Sequence, residues 1–180
     1  MPVSRVSQVR PGLLLSDLDS ALDPSVLTSR NVTLVVNASG LDPPYPVLDP
    51  VLQVLPVPVQ DRPHAPLSLY FLPVARRIQQ NRTGSTLVHC SAGRSRSPAL
   101  VMAYLMRSEG LSLRRAHELV LEARPFIRPN AGFWRQLLVL ERELLGQNSV
   151  RMTQTEAGVL PEALPDPDRG GTDTGYCINV

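Results

Sequence analysis

Thr86-Leu-Val-His-Cys-Ser-Ala-Gly-Arg-Ser-Arg-Ser-Pro98 passes from an apolar run into a short polar loop and out again into a second apolar run, ALVMAYLM. TLVHC has the composition of a buried strand. Ser97-Pro98 reads as a helix opening, with a capping residue and a proline at the first helical position, and Gly110 closes that helix. A strand followed by a tight loop and a helix is the building block of an α/β sheet.

The loop has its own chemistry. Cys90 and Arg96 are separated by Ser91, Ala92, Gly93, Arg94 and Ser95. A loop of this length between a strand and a helix can curl until its peptide N–H groups converge, which makes an anion nest at the positive end of the helix dipole. Gly93 permits the tight curl, and Ser91 and Ala92 leave room for a ligand. Arg96 offers a planar fork matched to two phosphate oxygens. A sulfur at the base of such a cradle ionises well below the free thiol value of about 8.5. The pattern is a nucleophile aimed at phosphorus. The plainer reading, a buried cysteine ending a strand beside solvated arginines, does not account for His89, Cys90, Gly93, Arg96 and Ser97 falling together in this context.

Working outward, residues 13–15 and 32–36 read as short buried strands with a helical stretch between them, LLLS at 13–16 being the first strand. Eight prolines between Pro43 and Pro66 make that region extended. VLQVLPVPV, residues 51–59, keeps strand character as an edge strand, because Pro56 and Pro58 cannot donate to a ladder. Leu67, Tyr70, Phe71, Val74 and Ile78 have helical spacing, with Pro73 implying a start near Leu72 or a kink. Three further helices are predicted at 97–109, 112–123 and 131–145. Leu113, Ala116, Leu119, Val120 and Ala123 form the stripe of the second, and Phe133, Leu137, Leu140 and Leu144 that of the third, with Asn130 as its cap. Beyond Gly146 the periodicity fades, so 150–180 is read as a flexible tail on a single domain spanning 1–149. The expected fold is α/β: a central, mostly parallel twisted sheet flanked by helices.

Composition narrows the function. The 18 basic residues are all arginine, which excludes every lysine-dependent mechanism: P-loop, kinase-type or Schiff base. A net charge of +2 implies no nucleic-acid partner. Two cysteines and three histidines lack metal-ligand spacing, so neither a metal nor any other cofactor is expected, nor a disulfide scaffold. No apolar run approaches the roughly 18 to 20 residues of a membrane span. A cytoplasmic protein is expected, with the nucleus also open to it. Mitochondrial import is set aside because LLLS reads better as a strand, and prenylation because Cys177-Ile-Asn-Val180 has Asn at a usually aliphatic position.

Transfer of a phosphoryl group to sulfur needs an acid for the departing oxygen. Asp42 and Asp49 precede the 51–59 strand; Asp61 follows it, on the strand's carboxyl end, where ligands bind in parallel sheets. If the strands run parallel, the end of TLVHC shares that edge. Asp61 is therefore the chosen acid, His64 the weaker competitor, and His89 a support for the loop from beneath.

HCSAGRSRS resembles the His-Cys-x5-Arg-Ser signature of the cysteine-dependent protein tyrosine phosphatases. AYLMR, ARPFIRPNAGFWRQL and ERELLG resemble the small, atypical dual-specificity phosphatases, over roughly residues 5 to 150. The resemblance implies a dual-specificity phosphatase-like fold. It also implies hydrolysis of phosphotyrosine and phosphoserine or phosphothreonine through a phosphocysteine, on MAP kinases or related signalling proteins. On this reading Cys90 attacks phosphorus, and the N–H groups of Ser91 to Arg96 with the Arg96 side chain hold its oxygens. Asp61 is acid then base, Ser97 helps the thiolate leave, and Asn130 and Asn37 brace the phosphate loop. Two alternatives accompany it. Arg94, a second loop cation, would suit a phosphoinositide or other phospholipid, and a low-turnover phosphosubstrate-binding scaffold is the non-enzymatic reading. The absence of a long insertion predicts a shallow cleft.

Overall fold

Three short runs of β-branched and apolar residues, at 13–16, 32–37 and 85–89, lie side by side and are covered on both faces, which the crossovers of an α/β sheet provide. The structure, a computed structural model, describes residues 5–166. The elements run β1 (Val6–Arg10), β2 (Leu13–Ser16), α1 (Leu18–Ala21), α2 (Pro24–Ser29), β3 (Val32–Asn37) and β4 (Gln53–Pro56). A 3-10 turn (Leu67–Tyr70) leads into α3 (Phe71–Gln80), then β5 (Ser85–His89), α4 (Arg96–Glu109), α5 (Leu113–Ala123) and α6 (Ala131–Leu145). β6 (Val150–Thr155) and β7 (Gly158–Ala163) follow.

The main sheet has the order β1-β2-β5-β3-β4. β2, β5, β3 and β4 are parallel, and β1 pairs antiparallel with β2. This is the mostly parallel, helix-flanked α/β domain that the sequence predicts, with β4 on the edge where its one proline, Pro56, costs no ladder bond. The period of two along each strand sorts the side chains into two cores. Leu13 and Leu15 of β2 and Val88 of β5 join the larger cluster with α4, Phe133 and Trp134. Leu14, Val35 and Leu87 face the other way, onto Ala21 and Leu27 of the α1–α2 side. α4 is buried on nearly every side, and α3, α5 and α6 pack around it. A fully covered side chain such as Phe133 or Leu105 contributes about 2–3 kcal/mol by leaving water.

Three expectations need correction. LLLS is the second strand: β1 precedes it, and its sequence VSQVR is too polar to signal a strand without its partner. α4 starts at Arg96 with Ser95 as its N-cap, so Ser97 and Pro98 are its second and third residues. The helix absorbs them early because Pro98 lacks the N–H that the first turn leaves unpaired. Residues 150–163, expected as tail, form the antiparallel β6–β7 ribbon, with Val150 opposite Ala163 and Thr155 opposite Gly158. Its anchor is tertiary. Val150 is buried in the main core, and Glu141, fully buried, accepts hydrogen bonds from Leu113 N, Ser149 N and Ser149 Oγ. Met152 lies opposite Pro161, so no clean alternation marked these strands. Cys177 and the C-terminal box, set aside above as a prenylation signal, lie outside the described residues.

Candidate active site

All four parallel strands end on one edge. β5 hands over there to Cys90, β2 to Asp17, β3 to the 37–41 loop, and β4 to the loop carrying Asp61. Between Cys90 and α4 each carbonyl is held from outside the curl. His89 Nδ1 donates to Cys90 O at 3.0 Å and Leu18 N to Ser91 O at 3.0 Å. Arg124 NH2 donates to Ala92 O at 3.2 Å and Arg124 Nε to Gly93 O at 2.8 Å. Arg128 N donates to Arg94 O at 2.6 Å and Ala99 N to Ser95 O at 3.2 Å. With six successive carbonyls turned outward, a planar peptide can only turn its N–H groups inward. Gly93 has φ +69°, and a Cβ there would meet Ser16 O at 2.6 Å and Arg124 NH2 at 2.7 Å. The left-handed turn and the close approach both require glycine at this position.

Cys90 is 3% exposed at the centre of this ring. Burial pushes its thiol up, but hydrogen bonds from the Ser97 hydroxyl, Ser97 N–H and Gly93 N–H, together with the Arg96 guanidinium, outweigh burial and hold it below the ordinary thiol value. Ser97 Oγ stands 3.3 Å from Sγ. That contact explains why Ser97 is wanted inside the helix rather than as its cap. The Arg96 guanidinium is fixed from one side, NH1 donating to Ser39 O at 2.9 Å and Val59 O at 3.1 Å. NH2 reaches Ser91 Oγ at 3.2 Å, while the buried Nε has no partner among the described residues. A buried unpaired donor is costly, and an oxyanion in the ring is the partner that Nε and NH2 together fit.

His89 is fully buried. Burial holds its imidazole below the usual value, so the ring is neutral. A carbonyl only accepts, which puts the ring hydrogen on Nδ1 facing Cys90 O, and Nε2 then accepts from Tyr45 O–H at 2.6 Å. His89 therefore supports the loop from beneath, and Tyr45 holds the far edge of its ring.

Asp61 lies across the ring's mouth. Its Oδ1 accepts from Ser95 Oγ at 2.7 Å and from Asn130 Nδ2 at 2.9 Å, and Oδ2 makes neither bond. Asn130 N donates to the same Ser95 Oγ at 3.1 Å, and Asn130 Oδ1 caps α6 by accepting from Phe133 N at 3.0 Å. One asparagine thus joins helix cap, phosphate loop and the Asp61 carboxylate. Asn37 acts differently from expectation. It accepts from Ser39 N and Ser39 Oγ and donates to Leu41 O, so it shapes its own loop and reaches the phosphate loop only through Ser39 and Arg96. The β3–β5 register leaves Asn37 level with His89, short of the curl. Arg94 lies exposed on the rim, its Nε donating to Phe126 O at 3.2 Å. His64 is exposed in the acid loop.

Arg124, Ser39 and Tyr45 also build the site, and Gly132 packs against Pro63 in the Asp61 loop, though the sequence motifs gave them no part in it. Their partners are 31 to 119 residues away in sequence for Arg124 alone, so no local signal was available. Among the described residues no group of three or more His, Cys, Asp or Glu is placed to hold a metal ion, and no helix is long and apolar enough to cross a membrane. Two surface hollows of about 250 and 260 Å³ lie elsewhere, one around Gly12 and Tyr104, the other around Phe71 and Gln136.

A nucleophilic sulfur inside a ring of inward N–H groups, on this sheet, defines a cysteine-dependent phosphatase. A family model described as the dual specificity phosphatase catalytic domain matches residues 13–143, and the chain belongs to that family as a small, atypical member. It is 40% identical over 169 residues to human dual specificity protein phosphatase 14, covering 93% of this chain and 84% of that protein. Human dual specificity protein phosphatase 18 is 40% identical over 165 residues, covering 89% and 85%. The crystal structure of human DUSP28 superposes with a TM-score of 0.73 at 38% identity, covering 79% of this chain and 96% of that one.

Proposed function

We propose that this phosphatase hydrolyses phosphotyrosine and phosphoserine or phosphothreonine on signalling proteins such as MAP kinases, with Cys90 as nucleophile and Asp61 as acid and base. The observation that carries the residue assignment is the orphaned Nε of Arg96, buried beside Cys90 in a ring of carbonyls all turned away. In the first step the Cys90 thiolate attacks phosphorus. The Sγ–P bond forms, the P–O bond to the substrate breaks, and Asp61 Oδ2 transfers its proton to the leaving oxygen. In the second step a water attacks the phosphocysteine while the Asp61 carboxylate takes its proton. The P–S bond breaks, and Ser97 O–H donates to the departing sulfur. The charge that builds on the three equatorial oxygens meets the N–H ring and the Arg96 fork.

The exposed mouth favours proteins over one deep pocket class: Ser91 and Ala92 lie open to solvent at the rim. The family resemblance supports MAP kinases and neighbouring kinases as substrates. A lipid substrate draws no support from Arg94, whose Nε is engaged along the rim by Phe126 O. A scaffold draws none from a site that keeps Cys90, Asp61 and Arg96 together.

The test is hydrolysis of an aryl phosphate by the wild type, Cys90→Ser and Asp61→Ala, with phosphopeptide and phosphoinositide panels. Cys90→Ser is expected to abolish turnover and Asp61→Ala to lower kcat by about 10²-fold or more. Phosphoinositide turnover exceeding phosphopeptide turnover would overturn the substrate class, and activity surviving in Cys90→Ser would overturn the nucleophile.

A further inference from the structure

Among the described residues Arg124 is the largest fully buried side chain, 2% exposed, at the C-cap of α5. Burying a guanidinium costs several kcal/mol unless its donors and its charge are both matched. Its donors are matched. Nε and NH2 take Gly93 O and Ala92 O, and NH1 takes Arg5 O at 3.0 Å and Ser7 Oγ at 3.2 Å. The Phe126 ring covers its face at 4.4 Å. Its charge has no carboxylate in direct contact; the negative groups that it senses are Asp17, at the N-cap of α1, and Cys90 itself.

We propose that Arg124 is a positioning residue for catalysis, which holds the phosphate loop in its anion-binding curl and ties that loop to strand β1. Two of the six outward carbonyls depend on this single fork, and they flank Gly93, the residue at which the loop reverses. Without the fork the Ala92 and Gly93 peptides lose the partners that keep their carbonyls out of the ring, and the Gly93 N–H swings away from sulfur. The same guanidinium reaches Arg5 and Ser7, at β1, which lies before the 13–143 stretch matched by the family model. The antiparallel edge strand thus becomes part of the site's support.

The proposal rests on Cys90 as nucleophile, so the experiment includes that reading as a control. Wild type, Cys90→Ser, Arg124→Lys, Arg124→Met and Ser7→Ala are compared in the full chain. The readouts are kcat and KM for an aryl phosphate, inhibition by inorganic phosphate, and the pH dependence of thiol alkylation by iodoacetamide. The charged and titratable groups facing the Cys90–Arg124 pair are Asp17 and the Arg5 beside it at 3.9 Å, the neutral His89 beneath, and Arg96 across the ring. All four are untouched by these variants.

Arg124→Lys keeps the charge and loses the fork. It is expected to lower kcat by roughly tenfold or more and to weaken phosphate inhibition in parallel, with a small rise in the alkylation pKa as the Gly93 N–H leaves the sulfur. Arg124→Met loses both, so the alkylation pKa rises by about one unit as well. Ser7→Ala, which leaves NH1 its bond to Arg5 O, shows the same kcat trend at a few-fold. A folded Arg124→Lys with wild-type kcat and phosphate inhibition would overturn the proposal. So would a Lys variant that fails to fold, since the residue would then be a general scaffold element. A wild type that is active while Cys90→Ser is equally active would instead refute the nucleophile.

Discussion

Gly132 is the second residue of α6, and the chain that carries Asp61 presses directly against it. A Cβ built on Gly132 would lie 2.5 Å from Pro63 Cα and closer still to the Pro63 carbonyl. Carbon contacts settle at about 3.5 Å or beyond, so in Gly132→Ala the acid loop must retreat by roughly an ångström. Helix α6 cannot yield instead, because Phe133 and Trp134 anchor it in the core. Asp61 is two residues from Pro63, and its bonds to Ser95 Oγ and Asn130 Nδ2, now 2.7 and 2.9 Å, would stretch beyond useful length. General acid catalysis contributes about 10² to 10⁴, and a 1 Å misplacement costs about 10². Gly132→Ala is therefore expected to lower kcat about 10²-fold on phenyl phosphate, whose leaving group needs the proton. It should lower kcat much less on p-nitrophenyl phosphate, whose leaving group does not. Overpacking will cost about 1–3 kcal/mol of stability, which urea unfolding reads separately. Alkylation of Cys90 should proceed at the wild-type rate, because the phosphate loop is untouched. A folded variant with equal losses on both substrates, or with wild-type kcat on phenyl phosphate, would refute the reasoning.

Three other outcomes are expected. His117 is buried edge-on to Trp134 at 4.9 Å, and burial pushes its imidazole down to about 4, the Glu118 charge opposing only in part. Its folded value lies below the unfolded value of about 6.5, so the stability it contributes is present above pH 6.5 and is lost as pH falls toward 4. By pH 5 that loss is about 2 kcal/mol; urea unfolding at pH 7.5 and 5 should show it in the wild type and lose it in His117→Phe, and an unchanged pH slope would count against it. Ser97→Ala removes the hydroxyl nearest Sγ, so thiol alkylation should shift to higher pH and the phosphocysteine should accumulate in intact-mass spectra; absence of both would leave Ser97 a helix residue only. Tyr45→Phe strands the His89 Nε2 acceptor in the interior and should cost about 1–3 kcal/mol, read by thermal unfolding, with kcat lowered because the His89 ring beneath Cys90 loses one of the two bonds that orient it.

The parallel α/β fold and the nucleophile loop were legible in the sequence because both are written locally. Buried strands such as TLVHC and VTLVV show as apolar runs, the helices as 3.6-residue stripes, and the anion ring as a fixed spacing from Cys90 to Arg96. The place of Asp61 beside the phosphate loop was legible for a related reason: in a parallel sheet the residues that follow each strand share one edge. What only the tertiary structure decided is everything held by a partner distant in the chain. Nothing in VSQVR or RMTQT announces a strand; each forms because a neighbouring strand and a buried anchor accept it. Asn37 was placed one contact too close to the phosphate loop because register is not visible before strands pair. Arg124 was read as part of a family segment and given no role. Its function is set by the carbonyls of residues 92 and 93 and by Arg5, which only folding brings to its guanidinium. Spacing determines what a loop can do, but the groups that hold it in that shape are chosen by packing.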